Sequence, residues 1–382
     1  MYRSTPLAPL AVCAALLAAA CSDASRVVSP GDITPAEAAV PERYTLVDLG
    51  PGAGVDINDA GAALIRAPDG AYVWTREGGR VKIGDFVPTA INNHGDVAGV
   101  TKWDYLTGQG LIWTPARGER LLASDPAAPA AMATAINDRR EITGWMDRSE
   151  NDCFRVFRWS EKSGVVPLSD GFSGACQEYG IGINDAGAVV AQVVPPDADP
   201  QTWIWSSRDG WQPMAAEHDD GARGSLPGDI NDLGEVVGTL SASGVGISPF
   251  AWRPKTSFAP LGSAELDGAA LGLNDRRAVV GYSFTYGGWV WTATSGVRQL
   301  EGGIPIDVNN RGVVVGTTVA GGAPHAVLWV PSEEPMPSAE LAQLTLSPRP
   351  AAPRLTIPAP VTLGARACLV AGRIEPRPCA EL

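Results

Sequence analysis

Three aspartates occupy the same place in a repeated sequence unit and are the side chains best suited to chemistry. Asp56, Asp229 and Asp307 each stand directly before an aliphatic residue and an asparagine. Neighbouring carboxyl groups raise each other's pKa, and carboxylate oxygens also bind calcium. If the strand that carries these residues lines a central channel, they form a site for a cation or a polar ligand. The alternative is that each accepts backbone N–H groups in the channel wall.

A second candidate site combines aromatic and acidic side chains in the longer connections of the chain. Exposed aromatic rings beside carboxylates suit stacking on sugars with hydrogen bonds to their hydroxyls, and they suit a protein partner equally well. The members are Trp103, Tyr105, Trp145, Asp147 and Tyr286.

Motifs of known catalytic chemistry are weak in this sequence. The three histidines are isolated, so no nucleophile–base pair is recognisable by spacing, and no Cys/His spacing indicates a metal site. We therefore predict no catalysis and no cofactor, with calcium as the one ion that the three aspartates suggest. The alternative is a glycoside hydrolase or lyase that uses paired carboxylates, whose separation only a structure gives.

The elements that must position these residues are seven copies of one unit of about 42 residues, the length of a four-stranded propeller blade. Each copy has an asparagine in an Asn-x-x-Gly turn or a close variant, then a Val-rich strand, then a strand that ends on tryptophan. We interpret the asparagines as turn residues and the tryptophans as core. The asparagines are Asn58, Asn92, Asn137, Asn184, Asn231, Asn274 and Asn309, and the tryptophans are Trp74, Trp113, Trp159, Trp205, Trp252, Trp291 and Trp329.

The seventh copy lacks its fourth strand, because a Pro-rich stretch follows Trp329. A segment with the missing pattern, residues 44–50, precedes the first asparagine. A strand supplied from the N-terminal side closes the ring and removes the open edge. The sequence thus predicts an all-β, seven-bladed propeller over residues 43–335. The connections on one face vary in length, and this loop face is the predicted binding surface.

The segments on either side of the propeller have different compositions. Residues 1–21 combine a short apolar run with small residues before Cys21, which resembles the lipobox of bacterial lipoproteins and implies that Cys21 is acylated. Residues 22–42 are predicted to be a flexible tether, and residues 336–382 a Pro-rich tail with short β segments. The lipoproteins that this segment resembles stay in the inner membrane when aspartate follows the cysteine, so Ser22 at that position implies the outer membrane; secretion by an ordinary cleaved signal is the alternative.

Cysteines and net charge further limit the functional classes. Four cysteines remain in the exported chain: Cys153, Cys176, Cys368 and Cys379. They allow three disulfide connectivities, of which the simplest joins Cys153 to Cys176 and Cys368 to Cys379. With 29 basic and 42 acidic residues, the formal net charge of −13 argues against nucleic acid as a partner and limits membrane contact to the lipid anchor. We expect a monomer.

The repeated unit, aliphatic-Asn-x-x-Gly-x-Val-Val-Gly followed by apolar-x-Trp, resembles the extracellular HAF repeat. The stretch from His325 to Trp329 comes nearest to the His-Ala-Phe trio that names this repeat, with valine in place of phenylalanine. The resemblance implies an exported or surface protein and transfers no catalytic residue. The sequence-based prediction is therefore a lipid-anchored, non-enzymatic scaffold that binds a protein or a glycan on its loop face.

Overall fold

The computed structural model describes residues 43–103, 107–123, 131–148, 153–169, 177–195, 199–214, 222–242, 246–254, 256, 258–262, 266–332, 368–370 and 373–375. Cys21, Tyr105, Cys176 and Cys379 lie outside these residues, as do the predicted tether and most of the predicted tail. The described chain contains only strands, bridges, turns and bends. It has no helix that is long and apolar enough to span a membrane.

The strands of the first half run from β1 to β13: β1 (Tyr44–Pro51), β2 (Ala53–Ile57), β3 (Ala63–Ala67), β4 (Gly70–Thr75), β5 (Gly79–Gly84), β6 (Val87–Ile91), β7 (Val97–Val100), β8 (Gly110–Thr114), β9 (Gly118–Leu121), β10 (Ala131–Ile136), β11 (Ile142–Arg148), β12 (Cys153–Ser160) and β13 (Gly164–Pro167).

The strands of the second half run from β14 to β30: β14 (Gln177–Ile183), β15 (Val189–Val194), β16 (Gln201–Ser206), β17 (Gly210–Pro213), β18 (Ala222–Ile230), β19 (Val236–Ala242), β20 (Gly246–Trp252), β21 (Ala259–Pro260), β22 (Ala269–Leu273), β23 (Val279–Ser283), β24 (Gly287–Thr292), β25 (Gly296–Leu300), β26 (Ile304–Val308), β27 (Val314–Ala320), β28 (Ala323–Pro331), β29 (Cys368–Val370) and β30 (Arg373–Glu375).

These strands pair as antiparallel meanders of four. Five sheets have four strands, and an eight-stranded sheet consists of two meanders, β10–β13 and β14–β17, joined by one parallel bridge between Phe154 and Gln177. We call the seven meanders blades 1 to 7 in chain order, beginning with β2–β5, and the first strand of each its inner strand. The prediction of an all-β fold of four-stranded antiparallel blades is confirmed. Strands β29 and β30 form a separate two-stranded sheet.

Blade 7 takes its fourth strand from the N-terminal side of the chain, as predicted. Strand β1 pairs antiparallel with β28, with Leu46 opposite Trp329, and the sheet order is β1-β28-β27-β26. The Ser332 amide donates a 2.9 Å hydrogen bond to the Arg43 carbonyl at the end of this pairing. Because β28 is paired on both sides, blade 7 has no open edge at this strand.

The apolar core lies between neighbouring blades rather than within one sheet. One cluster joins Val55 and Leu64 of blade 1 to Phe86 and Val97 of blade 2, and another joins Val315 of blade 7 to blade 1. The alternation of side chains along each strand places one set of residues toward each neighbour. Each blade therefore depends on two others to bury its apolar faces.

Two of the seven hairpin turns place arginine where the others have glycine. Arg140 and Arg277 adopt φ values of 59° and 62°, a left-handed conformation that is unfavourable for a residue with a side chain. Each guanidinium reaches back to an acid of the preceding blade, Arg140 to Asp96 at 2.6 Å and Arg277 to Glu235 at 2.9 Å. These inter-blade ion pairs offset the backbone strain.

Candidate active site in the central channel

The seven asparagines of the repeat form a closed ring of hydrogen bonds around the centre of the propeller. Each Nδ2 donates to the backbone carbonyl of the equivalent asparagine in the next blade, over distances from 2.8 to 3.2 Å. The last bond runs from Asn309 back to Asn58. Within each blade, the Oδ1 atom accepts the N–H of the residue four positions later and so shapes the turn. The predicted turn role is present, and the inter-blade ring is a second role that the sequence does not reveal.

A second ring lies one residue further along each turn, and it is mostly acidic. Each backbone N–H in it donates to the side chain of the equivalent residue in the next blade, at 2.7 to 2.9 Å. Asn93 and Asn310 also donate side-chain N–H groups to the aspartates beside them. Burial is the main reason that the pKa of Asp232 is raised to about 6. The members are Asp59, Asn93, Asp138, Asp185, Asp232, Asp275 and Asn310.

The rings surround one end of a central cavity of about 800 Å³, lined by the inner strands of all seven blades. In every inner strand the pairing register shifts by one residue directly before the position of Asp56. Such a β-bulge bends the strand and redirects the side chain that follows it. The equivalent residues are Asp56, Ala90, Ala135, Gly182, Asp229, Gly272 and Asp307.

All three predicted aspartates line this cavity, and each links its inner strand to the next one. Asp56 accepts the N–H of Ile57 and of Ile91 in blade 2, both at 2.7 Å. Asp229 accepts the N–H of Ile230 at 2.7 Å and of Leu273 in blade 6 at 2.9 Å.

Asp307 reaches blade 1 through a longer contact of 3.4 Å from the Ile57 N–H. The alternative raised from the sequence, that these side chains bind backbone in the channel wall, therefore describes their contacts correctly. These backbone contacts do not explain why the pKa values of the three carboxyl groups are raised.

Burial is the largest cause of a raised pKa for each of the three carboxyl groups. The pKa of Asp56 is well above its usual range, with further increases from the charge of Asp307 and from a hydrogen bond between the two side chains. Burial, then the charge of Asp307, raises the pKa of Asp229 to about 8. The pKa of Asp307 is raised by burial, while its hydrogen bond with Asp56 opposes that shift. The hydrogen bond between the two side chains therefore raises the pKa of Asp56 and lowers that of Asp307, so Asp307 is the more acidic member of the pair.

The described loop-face candidates, Trp103, Trp145, Asp147 and Tyr286, differ in their exposure. Trp145 was predicted to be a ligand-binding residue, but it is only 3% exposed and packs edge-on against Phe154 and Tyr179, so this prediction is wrong. The reason is that β11 extends through Arg148, which places Trp145 on a buried strand position. Trp103 is exposed, whereas Asp147 and Tyr286 are partly buried.

Two features of the channel escaped sequence reasoning. The acidic ring is visible in the sequence as Asp or Asn after each repeated asparagine, but its convergence needs the closed fold. Arg66 is the one cationic residue among the described residues that line the channel, and it differs from its counterparts in the other blades. Arg66 could have been found in the sequence, because it departs from the residue types that the other blades have at the same position.

The described residues test the predicted disulfides only in part. Cys153 is disulfide-bonded, while its predicted partner Cys176 lies outside the described residues. Cys368 lies in β29, and its pairing with Cys379 stays a prediction. Within the described ranges, no group of three or more His, Cys, Asp or Glu side chains converges in a way that could hold a metal ion.

Comparison with known proteins identifies the fold. The sequence matches no protein-family model and no curated protein. The structure resembles an oligogalacturonate lyase in complex with manganese, at a TM-score of 0.58 and 14% identity, over 79% of this chain and 96% of that one. It resembles virginiamycin B lyase from Staphylococcus aureus at a TM-score of 0.50 and 10% identity, over 75% and 100%. A puromycin hydrolase is similar at 0.52 and 11%, over 73% and 52%.

These comparisons correct the functional prediction. We predicted a scaffold without catalysis, and that prediction is wrong: the propellers that this structure resembles are lyases and a hydrolase. The identities of 10 to 14% establish the shared fold alone. The manganese of the first structure leaves a metal cofactor open, although the described side chains of this chain do not converge on one.

Proposed function

We propose that this propeller is an acid–base enzyme that cleaves a glycan in its central channel, as a glycoside hydrolase or a lyase. The observation that carries the proposal is that Asp56, Asp229 and Asp307 line one cavity in the channel wall and that burial raises the pKa of each. Groups with strongly shifted pKa values cluster at catalytic sites, because acid and base roles at neutral pH require such shifts.

The repeat itself supports a functional reason for the three aspartates. Four blades build the same wall with alanine or glycine at this position, so the fold does not require a carboxyl group there. In blade 6 the space is closed tightly, because a Cβ on Gly272 would lie 2.7 Å from the Asp307 Cα. Burying three carboxyl groups is costly for stability. A chemical role is the simplest reason to keep them.

The protonation pattern assigns separate roles to the three groups. Asp307 acts as the general base that takes a proton from water in hydrolysis, or from a sugar carbon in elimination, because its hydrogen bond with Asp56 opposes the rise in its pKa. Asp229 is protonated at neutral pH and acts as the general acid that gives its proton to the departing glycosidic oxygen. Asp56 is a positioning residue, since its proton holds Asp307 in place.

No step is assigned to a metal, because the described side chains offer no set of three converging ligands. Calcium binding by the three aspartates, which the sequence suggested, remains a proposal. Their oxygens already accept backbone N–H groups, and burial raises the pKa of each carboxyl group. Both features disfavour a hard cation, which needs ionised oxygen ligands.

The cellular setting stays a separate proposal. We propose that the chain is an exported lipoprotein of the HAF-repeat kind, acylated at Cys21 and held at the outer membrane. The disulfide at Cys153 supports an oxidising compartment, because such bonds are rare in the cytosol. Labelling of expressing cells with a fatty-acid analogue should tag the wild type and leave Cys21→Ala unlabelled.

The enzyme proposal is tested by incubating the protein with a panel of polysaccharides and following new reducing ends and ultraviolet absorbance together. Hydrolysis gives reducing ends alone, whereas elimination also gives an absorbing unsaturated sugar. We expect Asp307→Asn and Asp229→Asn to lower kcat at least 100-fold. Asp209→Asn, in an exposed turn, is the matched control. Equal rates in all four proteins would remove the proposal.

The pH profile gives an independent test of the assigned roles. Activity should fall as pH rises through about 8, because Asp229 then loses the proton that the general acid must donate. It should also fall in acid, where Asp307 becomes protonated. A rate that keeps rising to pH 10 would contradict the role of Asp229.

A further inference from the structure

The two ends of the channel differ in charge. Among the described lining residues there are eight aspartates and one arginine, and five of the aspartates belong to the acidic ring at the turn end. Arg66 lies in β3 opposite Ala53, the first residue of β2, so it is at the end of the hairpin away from the Asn58 turn. An anionic ligand is repelled at the turn end and attracted at the end of Arg66, on the loop face.

Arg66 is the exception in a repeated position. The equivalent residues of the other blades are uncharged, so the blade does not need a cation here; they are Val100, Trp145, Gln192, Thr239, Tyr282 and Thr317. Tyr282 of blade 6 and Thr317 of blade 7 line the same channel. The cation therefore stands in the part of the wall that also carries Asp56 and Asp307.

The guanidinium of Arg66 has no partner in the described chain, neither an ion pair nor a hydrogen bond. It is partly buried, and burial lowers its pKa. A desolvated, unpaired charge lowers stability, and its planar set of donors matches a carboxylate in two parallel hydrogen bonds. A bound anion would provide the ion pair and the hydrogen bonds that the guanidinium lacks in the described chain.

Register places Arg66 at a useful distance from the carboxyl pair. Asp56 is opposite Leu64, and Arg66 is two residues further along β3, or roughly 7 Å of strand rise. That separation is comparable to one monosaccharide unit. A sugar whose acidic substituent contacts Arg66 therefore extends toward Asp56 and Asp307.

We propose that Arg66 binds the anionic group of an acidic sugar, so that the channel takes a uronate-containing glycan through its loop-face end. This inference rests on the proposed glycan cleavage and adds the class of substrate. A sulfated sugar presents the same anionic chemistry, and the experiment separates the two. Arg66 acts here as a specificity residue.

The test compares binding of glucuronate-containing oligosaccharides with their carboxyl-reduced, neutral counterparts and with sulfated neutral ones, by calorimetry at low salt. Wild type should bind an anionic series at least tenfold more tightly than the neutral one. Arg66→Gln should abolish that preference, Arg66→Lys should keep part of it, and Arg117→Gln, an exposed arginine whose side chain is 75% accessible, should match wild type. Because Arg66→Gln removes an unpaired charge, its melting temperature should not fall.

The outcomes separate this inference from the proposed function. Turnover of a neutral glycan with a KM unchanged in Arg66→Gln would overturn the inference and leave the enzyme intact. If uronates bind in an Arg66-dependent way but are not cleaved, the anion site at Arg66 is supported and the proposed enzymatic activity is refuted. Tighter binding of the sulfated series would support the anion site and assign it to sulfate. Equal affinity of the wild type for charged and neutral sugars would overturn the proposal that Arg66 binds an anionic group.

Discussion

Replacement of Asp229 by asparagine should change how the stability of this protein depends on pH. The Asp229 carboxyl group is held between the N–H groups of Ile230 and Leu273, and burial raises its pKa from 3.8 to about 8. The folded state therefore binds more protons than the unfolded state between these two values. The contribution of this group to stability is complete below the unfolded pKa, and it is lost as pH rises toward about 8.

The size of the effect follows from the two pKa values. Each pKa unit corresponds to about 1.4 kcal/mol, so the shift of Asp229 sets a ceiling of about 6 kcal/mol on the stability lost between pH 4 and pH 8.5. The side chain lines a cavity and is partly accessible, so solvent screening reduces this to roughly 2–3 kcal/mol. Asparagine has no charge to desolvate. Its NH₂ group faces a backbone N–H, which costs about 1–2 kcal/mol at every pH.

The assay is denaturant unfolding of wild type, Asp229→Asn and the exposed control Asp209→Asn at a series of pH values. At pH 4.5 the Asp229 variant should be less stable than wild type by about 1–2 kcal/mol. By pH 8.5 the difference should vanish or change sign, while Asp209→Asn runs parallel to wild type. Parallel curves for Asp229→Asn would show that this carboxyl group titrates normally, and the protonation argument for the channel would fail.

Three further predictions concern the scaffold. Asn184→Ala removes the bonds to the Asn231 carbonyl and the Ala188 N–H and should lower the free energy of unfolding by about 2–4 kcal/mol in denaturant titration, whereas an unchanged value would refute the ring. Trp145→Ala should cost about 3–5 kcal/mol and Trp103→Ala less than about 0.5, so comparable losses would contradict their assigned burial. Thiol titration of the denatured, unreduced protein should find Cys153 unreactive, and reduction should lower stability by about 3 kcal/mol if Cys176 is the partner; a free Cys153 thiol would refute the bond.

The sequence allowed the blades to be predicted because each blade is a local object. The asparagine turn, the strand after it and the tryptophan that ends the third strand are close in the chain, and their repetition shows the order of the strands in each blade. The pairing of β1 with blade 7 was equally predictable, because the seventh copy lacks its fourth strand and a matching segment precedes the first copy. The hydrogen bonds of the asparagine ring could not be predicted, since Asn309 donates to a backbone carbonyl 251 residues away.

The candidate site was predicted only in part, and the division has a physical basis. Asp56, Asp229 and Asp307 could be placed in the channel because the inner strand of a blade must face it. Their protonation depends on burial and on the hydrogen bond between Asp56 and Asp307, and no spacing encodes either. Trp145 was misplaced because the sequence does not show that β11 continues beneath the loop.

The asymmetry of the channel is the strongest argument that it has a function. Seven copies of one unit produce a wall of bulged strands with the acidic ring at its turn end, and four of the copies have only alanine or glycine at the position of Asp56. Asp307, Asp56 and Arg66 lie in the neighbouring blades 7 and 1, and Asp229 lies in blade 5 of the same channel. Each introduces a buried charge or proton that other blades omit without loss of the fold. Packing does not account for these side chains, whereas the proposed cleavage of an acidic glycan uses Arg66 to bind the anion, Asp229 as the acid and Asp307 as the base, with Asp56 holding Asp307 in place.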